Sequence, residues 1–310
     1  MTEVKFPSMV DMPDKEYFAH PAIDQTGLKK FMESPRAYAW HKLNPLDNST
    51  LAFGKAAHSL ILGSGPKVER KLDGRTKAGK AQAEQAKSDD LVILSGSDYE
   101  KLQNMVDYAP DMNSLVEGKP EIALFAIDPA TGLELKGKAD WLPDHPGMDG
   151  VMWLYDYKTT GHDVQDFTGS AYKFGYHIQA AFYMMLYRLV TGYQGAMGFR
   201  FVVQEKQEPY DWMIWELSEN DPEISLVAVK QIREALDELA AKIACEQISE
   251  EQLEELVATM HEFEESTKTD NVKKIAEADV KFHDIIYQST GNPKLVNMLN
   301  NLREQMYRYR

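Results

Sequence analysis

The spacing of apolar residues divides the chain near residue 245. Before that point, helix-period and strand-period segments alternate. "AIDQTGLKKFMESPRAYAWHKL" predicts a helix that starts near Thr26 and breaks at Ser34-Pro35, where Pro35 can open a second helix. "LAFGKAAHSLIL", residues 51–62, has a short apolar helical pattern. The next stretch, "GSGPKVERKLDGRTKAGKAQAEQAK", is polar and reads as a mobile loop followed by a helix. "SDYEKLQNMVDYAP" predicts another helix, stopped before Pro110. The period then falls to two. "EIALFAID" and "LELKGKADWLP" flank the turn "PATG", so 121–142 reads as a hairpin with Gly132 able to adopt positive φ. A strand at 151–158, a helical segment over about 167–191 and the strands "GAMGFRFVVQE" and "YDWMIWELSE" follow. "DPEISLVAVKQIREALDELAAKIAC" is amphipathic, with Asp221 placed as N-cap and Pro222 at the first helical position. A helix between strands implies a parallel crossover in a partly antiparallel sheet. The expected class is α/β, a mixed central sheet flanked by helices.

From Glu246 the strand signal stops. "ISEEQLEELVATMHEFEEST", "NVKKIAEADVKFHDIIYQST" and "NPKLVNMLNNLREQMYRYR" predict three helices. The expected domains are therefore an α/β unit at 1–245 and an all-helical appendage at 246–310.

Composition narrows the picture. Of 310 residues, 43% are hydrophobic, enough to build a sizeable core and too many for a disordered chain. No apolar run reaches membrane-spanning length, and the N-terminus has no signal-peptide pattern. The expectation is a cytoplasmic protein with no membrane partner. The single cysteine, Cys245, excludes an intrachain disulfide and a four-cysteine metal site. A net charge of −15 argues against a general nucleic-acid coat protein, but leaves room for a local basic channel.

The chemistry gathers at "VMWLYDYKTT". Alternate residues of a strand share a face, so Met152, Leu154, Asp156 and Lys158 point one way and Val151, Trp153, Tyr155 and Tyr157 the other. Lys136, Lys138 and Asp140 share a face of the preceding strand. If the two strands are neighbours, Asp140 and Asp156 converge. Two close carboxylates need a compensating cation, and Mg²⁺ takes one or two carboxylates with water and phosphate oxygens. A lysine beside them can stabilise charge developing on a phosphoryl group. An Asp and a Lys two apart also describe an inert, exposed ion pair, and spacing alone favours that reading, because D-x-K is a weak pattern. Gln179 and Tyr183, four apart, share a helix face that could hydrogen-bond a DNA strand or position the carboxylates. Ordinary helix-surface chemistry is the plain alternative.

"KGKADW", "LYDYKTT" and "GYHIQAAFY", in that order, resemble the PD-(D/E)XK nuclease superfamily and its RecB-like branch. That branch also carries a histidine in an upstream helix, here His58 of "FGKAAHSLIL", and an N-terminal helical signature like "IDQTGLKKFMESPRAYAW". The match is closest to RecE-like nucleases (exonuclease VIII) and their phage relatives, from about Ile23 to about Cys245. The resemblance implies His58, Asp140, Asp156 and the backbone carbonyl of Tyr157 as ligands of Mg²⁺, or of Mn²⁺. It implies Lys158 as catalytic lysine, Gln179 and Tyr183 as the Q-x-x-x-Y pair, and Glu121 as a supporting acid or only a strand-edge charge. It further implies 5′→3′ exonuclease action on duplex ends in DNA recombination, a ring-shaped homo-oligomer around double-stranded DNA, and a single-strand annealing recombinase as partner. Arg70, Lys71, Arg75, Lys77 and Lys80 are the candidate phosphate contacts, with Arg36 and Lys55 nearer the expected site.

The appendage departs from that family. "ADVKFHDIIYQSTGNPKL" resembles part of an FCD domain, the helical effector-binding domain of GntR-type regulators. Asp279 and His283 match two metal ligands of that family, but the further histidines that complete its site lie on later helices not found in this sequence. The expectation is an incomplete metal shell. Two other functions stay open: a catalytically silent DNA-binding or assembly module, and a metal- or ligand-binding regulator fragment acting through the tail.

Overall fold

The structure is a computed structural model that describes residues 4–44, 49–88, 91–268 and 272–289. The third helix expected in the tail, 292–310, lies outside the described residues. The chain forms two compact units. One comprises Met1–Ala126 with Lys136–Lys230, the other Ile127–Leu135 with Gln231–Arg310.

The first unit begins with strand β1 (Ser8–Asp11) and helices α1 (Asp14–Ala19), α2 (Gln25–Glu33), α3 (Pro35–Leu43) and α4 (Ser49–Leu62). Asp24 caps α2 by accepting from the Gly27 amide, and Ser34 caps α3 by accepting from Ala37. Pro35 is the first residue of α3, as the break at Ser34-Pro35 predicts. Then come β2 (Lys67–Arg70), α5 (Lys77–Ser88), β3 (Leu91–Leu94), α6 (Gly96–Tyr108) and α7 (Met112–Leu115). The segment expected as a loop is thus partly a strand. Val68 alternates with charged neighbours and pairs in parallel with the apolar "LVIL" of β3, a non-local partner that supplies what "KVER" lacks by itself.

The hairpin strands are β4 (Gly118–Ile127) and β5 (Glu134–Pro143), followed by β6 (Met152–Thr160), α8 (Phe167–Lys173), α9 (Tyr176–Thr191), β7 (Met197–Glu205) and β8 (Trp212–Ser218). The sheet order is β1-β4-β5-β6-β7-β8. β6 and β7 run parallel, from Met152 opposite Met197 to Thr160 opposite Glu205, and β7 and β8 antiparallel. The expected mixed sheet with a parallel crossover is present. The helical segment at 167–191 is two helices, because Gly175 adopts φ +63° and ends the run.

Each face of β6 meets a different layer. Trp141, Tyr155, Tyr157 and Val202 are buried with Phe53, Ala56 and Ala57 of α4 and Leu102 and Met105 of α6. On the other side, α9 is buried at Ile178, Gln179, Phe182, Tyr183 and Leu186. Gly137 permits this packing, since a Cβ there would stand 2.8 Å from Leu186 Cδ2 and 3.1 Å from the Tyr183 ring.

One buried polar link fixes β6 to its neighbours. The Tyr157 hydroxyl donates to Gln204 Oε1 at 2.6 Å, and Gln204 Nε2 donates to the carbonyls of Met105 and Tyr210 at 2.9 and 3.2 Å. Gln204 and Tyr157 are both fully buried. Gln204→Leu leaves three buried polar groups unpaired and should lower stability by about 2–4 kcal/mol, read as a fall in urea midpoint at unchanged slope.

The second unit contains the hairpin tip and helices α10 (Val229–Gln247), α11 (Glu250–Lys268) and α12 (Val272–Ser289). In the tip, Asp128 Oδ2 accepts from the Thr131 amide and hydroxyl, and Gly132 takes the predicted positive φ, +68°. Asp128 is buried and lies 2.8 Å from the Arg233 guanidinium. α10 buries Ile232, Leu236 and Leu239 at helical spacing. Lys281 of α12 reaches Glu255 and Glu262 of α11 at 3.8 and 3.9 Å. A π-helical segment, Glu223–Ala228, leads into α10 from the first unit. Its expected cap is altered: the Asp221 carbonyl accepts from Ile224 and Ser225, while its carboxylate turns back to the Ser218 amide.

Candidate active site

The polar end of β6 faces α9. Asp156 is buried, its Oδ1 accepting from Gln179 Nε2 at 2.6 Å and its Oδ2 forming an ion pair with the Lys158 ammonium. Burial would lower the lysine's pKa, but Asp156 and Asp140 outweigh it and hold the pKa above its ordinary value. Lys158 is therefore a cation at neutral pH, resting 5.3 Å from the centre of the Tyr176 ring.

A second cluster lies where β5 and β6 part. Their ladder holds at Trp141 opposite Tyr155, and beyond it the Tyr157 amide donates to Asp140 Oδ2 at 2.8 Å. That same carboxylate oxygen is 3.4 Å from His58 Nδ1. Burial first, and Asp156 second, push the Asp140 carboxyl well above its ordinary value. Burial and then Lys158 push the His58 imidazole down, against Asp156 and a hydrogen bond to the Tyr157 backbone. His58 is thus neutral at pH 7, the form that binds metal. His58, Asp140 and the Tyr157 backbone lie together. Asp156 acts on both side chains electrostatically, while its oxygens are engaged by Gln179 and Lys158. Among the described residues, no three His, Cys, Asp or Glu side chains form a group that could hold a metal ion. The donor types suit a divalent ion, but the carboxylates do not close on one centre while the lysine occupies Asp156.

Gln179 and Tyr183 have separate tasks. Both are buried. Gln179 fixes Asp156, whereas the Tyr183 hydroxyl donates to the Lys138 carbonyl at 2.9 Å and fixes β5. Glu121 sits at φ +51°, a strained conformation for a residue with a Cβ, and accepts from Lys138 Nζ at 3.1 Å. It adds negative potential at His58 and Asp140.

Three groups escaped the sequence reading: Asp14, Lys29 and Tyr176. Lys138 also bonds Asp14 at 2.6 Å, and Lys55 lies 3.3 Å from the same carboxylate. Lys29 of α2 donates to the Phe174 carbonyl at 3.0 Å, and burial followed by Lys158 lowers its pKa to about 8. Tyr176 underlies Lys158. Only the repeated Lys and aromatic residues of "LKKF" and "KFGYH" hint at the last two, and no spacing rule joins segments 145 residues apart.

Arg70, Lys71, Arg75, Lys77 and Lys80 are all exposed. Arg70 closes β2 with its guanidinium 3.2 Å from Glu100, Lys71 follows it, and Arg75 is held by Asp73 at 2.8 Å. Lys77 and Lys80 open α5. Arg36 is exposed on α3. In the second unit His283 Nε2 is 3.9 Å from Asp279, and both are half-exposed. Among the described residues they join no three-donor group.

Residues 25–253 match a PDDEXK-like domain of unknown function (DUF3799), and residues 228–310 match the FCD domain. The two matches overlap within α10 and the start of α11. A candidate exonuclease of known structure from Eubacterium rectale is 17% identical, with a TM-score of 0.49 over 74% of this chain and 87% of its own. The structure of SSO0001 is 12% identical, with a TM-score of 0.29 over 69% of this chain and 85% of its own. No curated protein sequence matches the chain. Among the described residues, no helix is long and apolar enough to cross a membrane.

Proposed function

The chain belongs to the PDDEXK-like family DUF3799 and carries its nuclease-type fold, and on that premise we propose that it is a cytoplasmic, Mg²⁺- or Mn²⁺-dependent deoxyribonuclease acting 5′→3′ on the ends of linear duplex DNA during recombination. The observation that carries the reading is the buried Asp156–Lys158–Gln179 assembly beside Asp140 and His58. His58, Asp140 and the Tyr157 carbonyl would hold the ion, with Asp156 completing the set once Lys158 turns toward a phosphate. A divalent ion there supplies a Lewis acid for a phosphoryl oxygen and lowers the pKa of water. Lys158, kept charged by its carboxylate neighbours, offsets negative charge growing on the phosphoryl oxygens. Gln179 keeps Asp156 aimed while Lys158 moves.

The proposal includes a homo-oligomeric ring threaded by duplex DNA and a single-strand annealing recombinase that takes up the exposed strand. A ring lets an acidic chain gather its lysines inside. Phosphate contact at Lys77 and Lys80 has a salt signature: Lys77→Glu with Lys80→Glu should weaken DNA binding in a titration and flatten its salt dependence by roughly one unit of slope per lost contact.

Incubating the chain with linear and closed circular duplex, with and without Mg²⁺, tests the reaction class. Loss of linear DNA alone, only with the metal, is the expected result. Cleavage of the circle would make the enzyme an endonuclease. One observation favours a second reading, a catalytically silent DNA-binding module: the described residues form no three-donor metal group. Binding without cleavage, with every divalent ion tried, would establish that alternative.

A further inference from the structure

A row of aromatic rings runs from the core to the surface beside Lys158. Phe201 of β7 stacks on Tyr176 at 5.3 Å and 29°, and Tyr176 lies 5.9 Å from Phe174. Phe201 is buried, whereas Phe174 is 53% exposed. Tyr172, stacked on His177, is 74% exposed. Two large, exposed rings on one turn, beside the Asp156–Lys158 pair, mark a surface that something flat can cover.

The charge around them identifies the cover. Lys158 rests on Tyr176, Lys173 Nζ lies 5.7 Å from the Phe174 ring centre, and Lys29 Nζ bonds the Phe174 carbonyl. Three lysines gather around one turn of a chain whose net charge is −15. The turn itself is held in place. Gly175 has φ +63°, and a Cβ there would stand 3.2 Å from Lys29 Cδ, so the lysine stem packs directly on the turn. Exposed ring faces with ammonium groups at their edges match the two parts of an unpaired nucleic-acid strand, whose bases stack and whose phosphates pair with cations.

We propose that the turn at 172–176, together with Lys29, is a subsite for an unpaired nucleotide of a DNA strand, with Phe174 stacking on its base and Lys29 and Lys173 meeting the flanking phosphates. This deepens the nuclease reading and rests on it: the subsite sets the path of the strand as it reaches Lys158.

Fluorescence anisotropy on the full chain in EDTA, where the proposed reaction stops, tests the subsite. The probes are a labelled short oligothymidylate and an abasic strand of the same length. Phe174→Ala should weaken oligothymidylate binding about tenfold and leave the abasic strand unchanged, and Phe174→Tyr should restore affinity. Lys29→Met should weaken both strands and flatten their salt dependence. Unchanged oligothymidylate affinity in Phe174→Ala overturns the subsite, as does an equal loss on both strands. If the parent cleaves duplex DNA while Phe174→Ala binds normally, the subsite alone is wrong. If the parent neither binds nor cleaves DNA, the nuclease reading fails with it.

Discussion

Lys158→Met is expected to lower DNA cleavage by at least about 10²–10³-fold, the usual cost of removing a group that stabilises transition-state charge. The loss should appear in turnover more than in affinity, because Lys158 sits against Asp156 and is only partly accessible until it swings to a phosphate. The same substitution has a second effect of the opposite kind. Without the ammonium, Asp156 keeps Gln179 but loses the cation that compensates a buried carboxylate. Removing one partner of such a pair costs about 3–5 kcal/mol. A divalent ion can fill that electrostatic role, so Mg²⁺ or Mn²⁺ should raise the melting temperature of Lys158→Met more than that of the parent. Thermal denaturation across a metal titration checks this. Equal metal responses in the two chains would mean that Lys158 and the ion do not share Asp156.

Asp140→Asn should abolish cleavage yet stabilise the metal-free protein. Burial and the nearby Asp156 hold the Asp140 carboxyl well above its ordinary value of 3.8. Such a group favours the folded state fully below its unfolded pKa, and that contribution is lost as pH rises through the folded pKa. Charged Asp140 therefore opposes folding at neutral and higher pH. Asparagine removes the charge and still offers an oxygen to the Tyr157 amide. In EDTA the variant should melt about 2–4 °C above the parent at pH 8, and the gap should close toward pH 4. A variant less stable than the parent at pH 8 would contradict this account of the carboxylate pair.

Much of the site was legible in the sequence because its parts recur at fixed spacing. Asp156 and Lys158 share a strand face, and Gln179 and Tyr183 share a helix face, so local geometry alone associates each pair. The division of labour was not legible. That Gln179 meets Asp156 while Tyr183 meets a backbone carbonyl depends on how α9 lies on the sheet, which Gly137 governs from a different strand. Asp14 and Lys29 were invisible for the same reason, since each reaches the site from a helix far away in sequence. The fold failed to show where a segment borrows its partner. "KVER" becomes a strand only beside "LVIL", and "KFGYH" reads as continuous helix until Gly175 turns left-handed.

The most direct test of the central claim is a single-turnover cleavage assay on linear duplex DNA labelled at one 5′ end, comparing the parent chain with Lys158→Met. The account predicts release of the label as mononucleotide by the parent with Mg²⁺ or Mn²⁺, none in EDTA, and almost none by the variant. Intact DNA with the parent in every divalent ion, or equal rates for parent and variant, would contradict it.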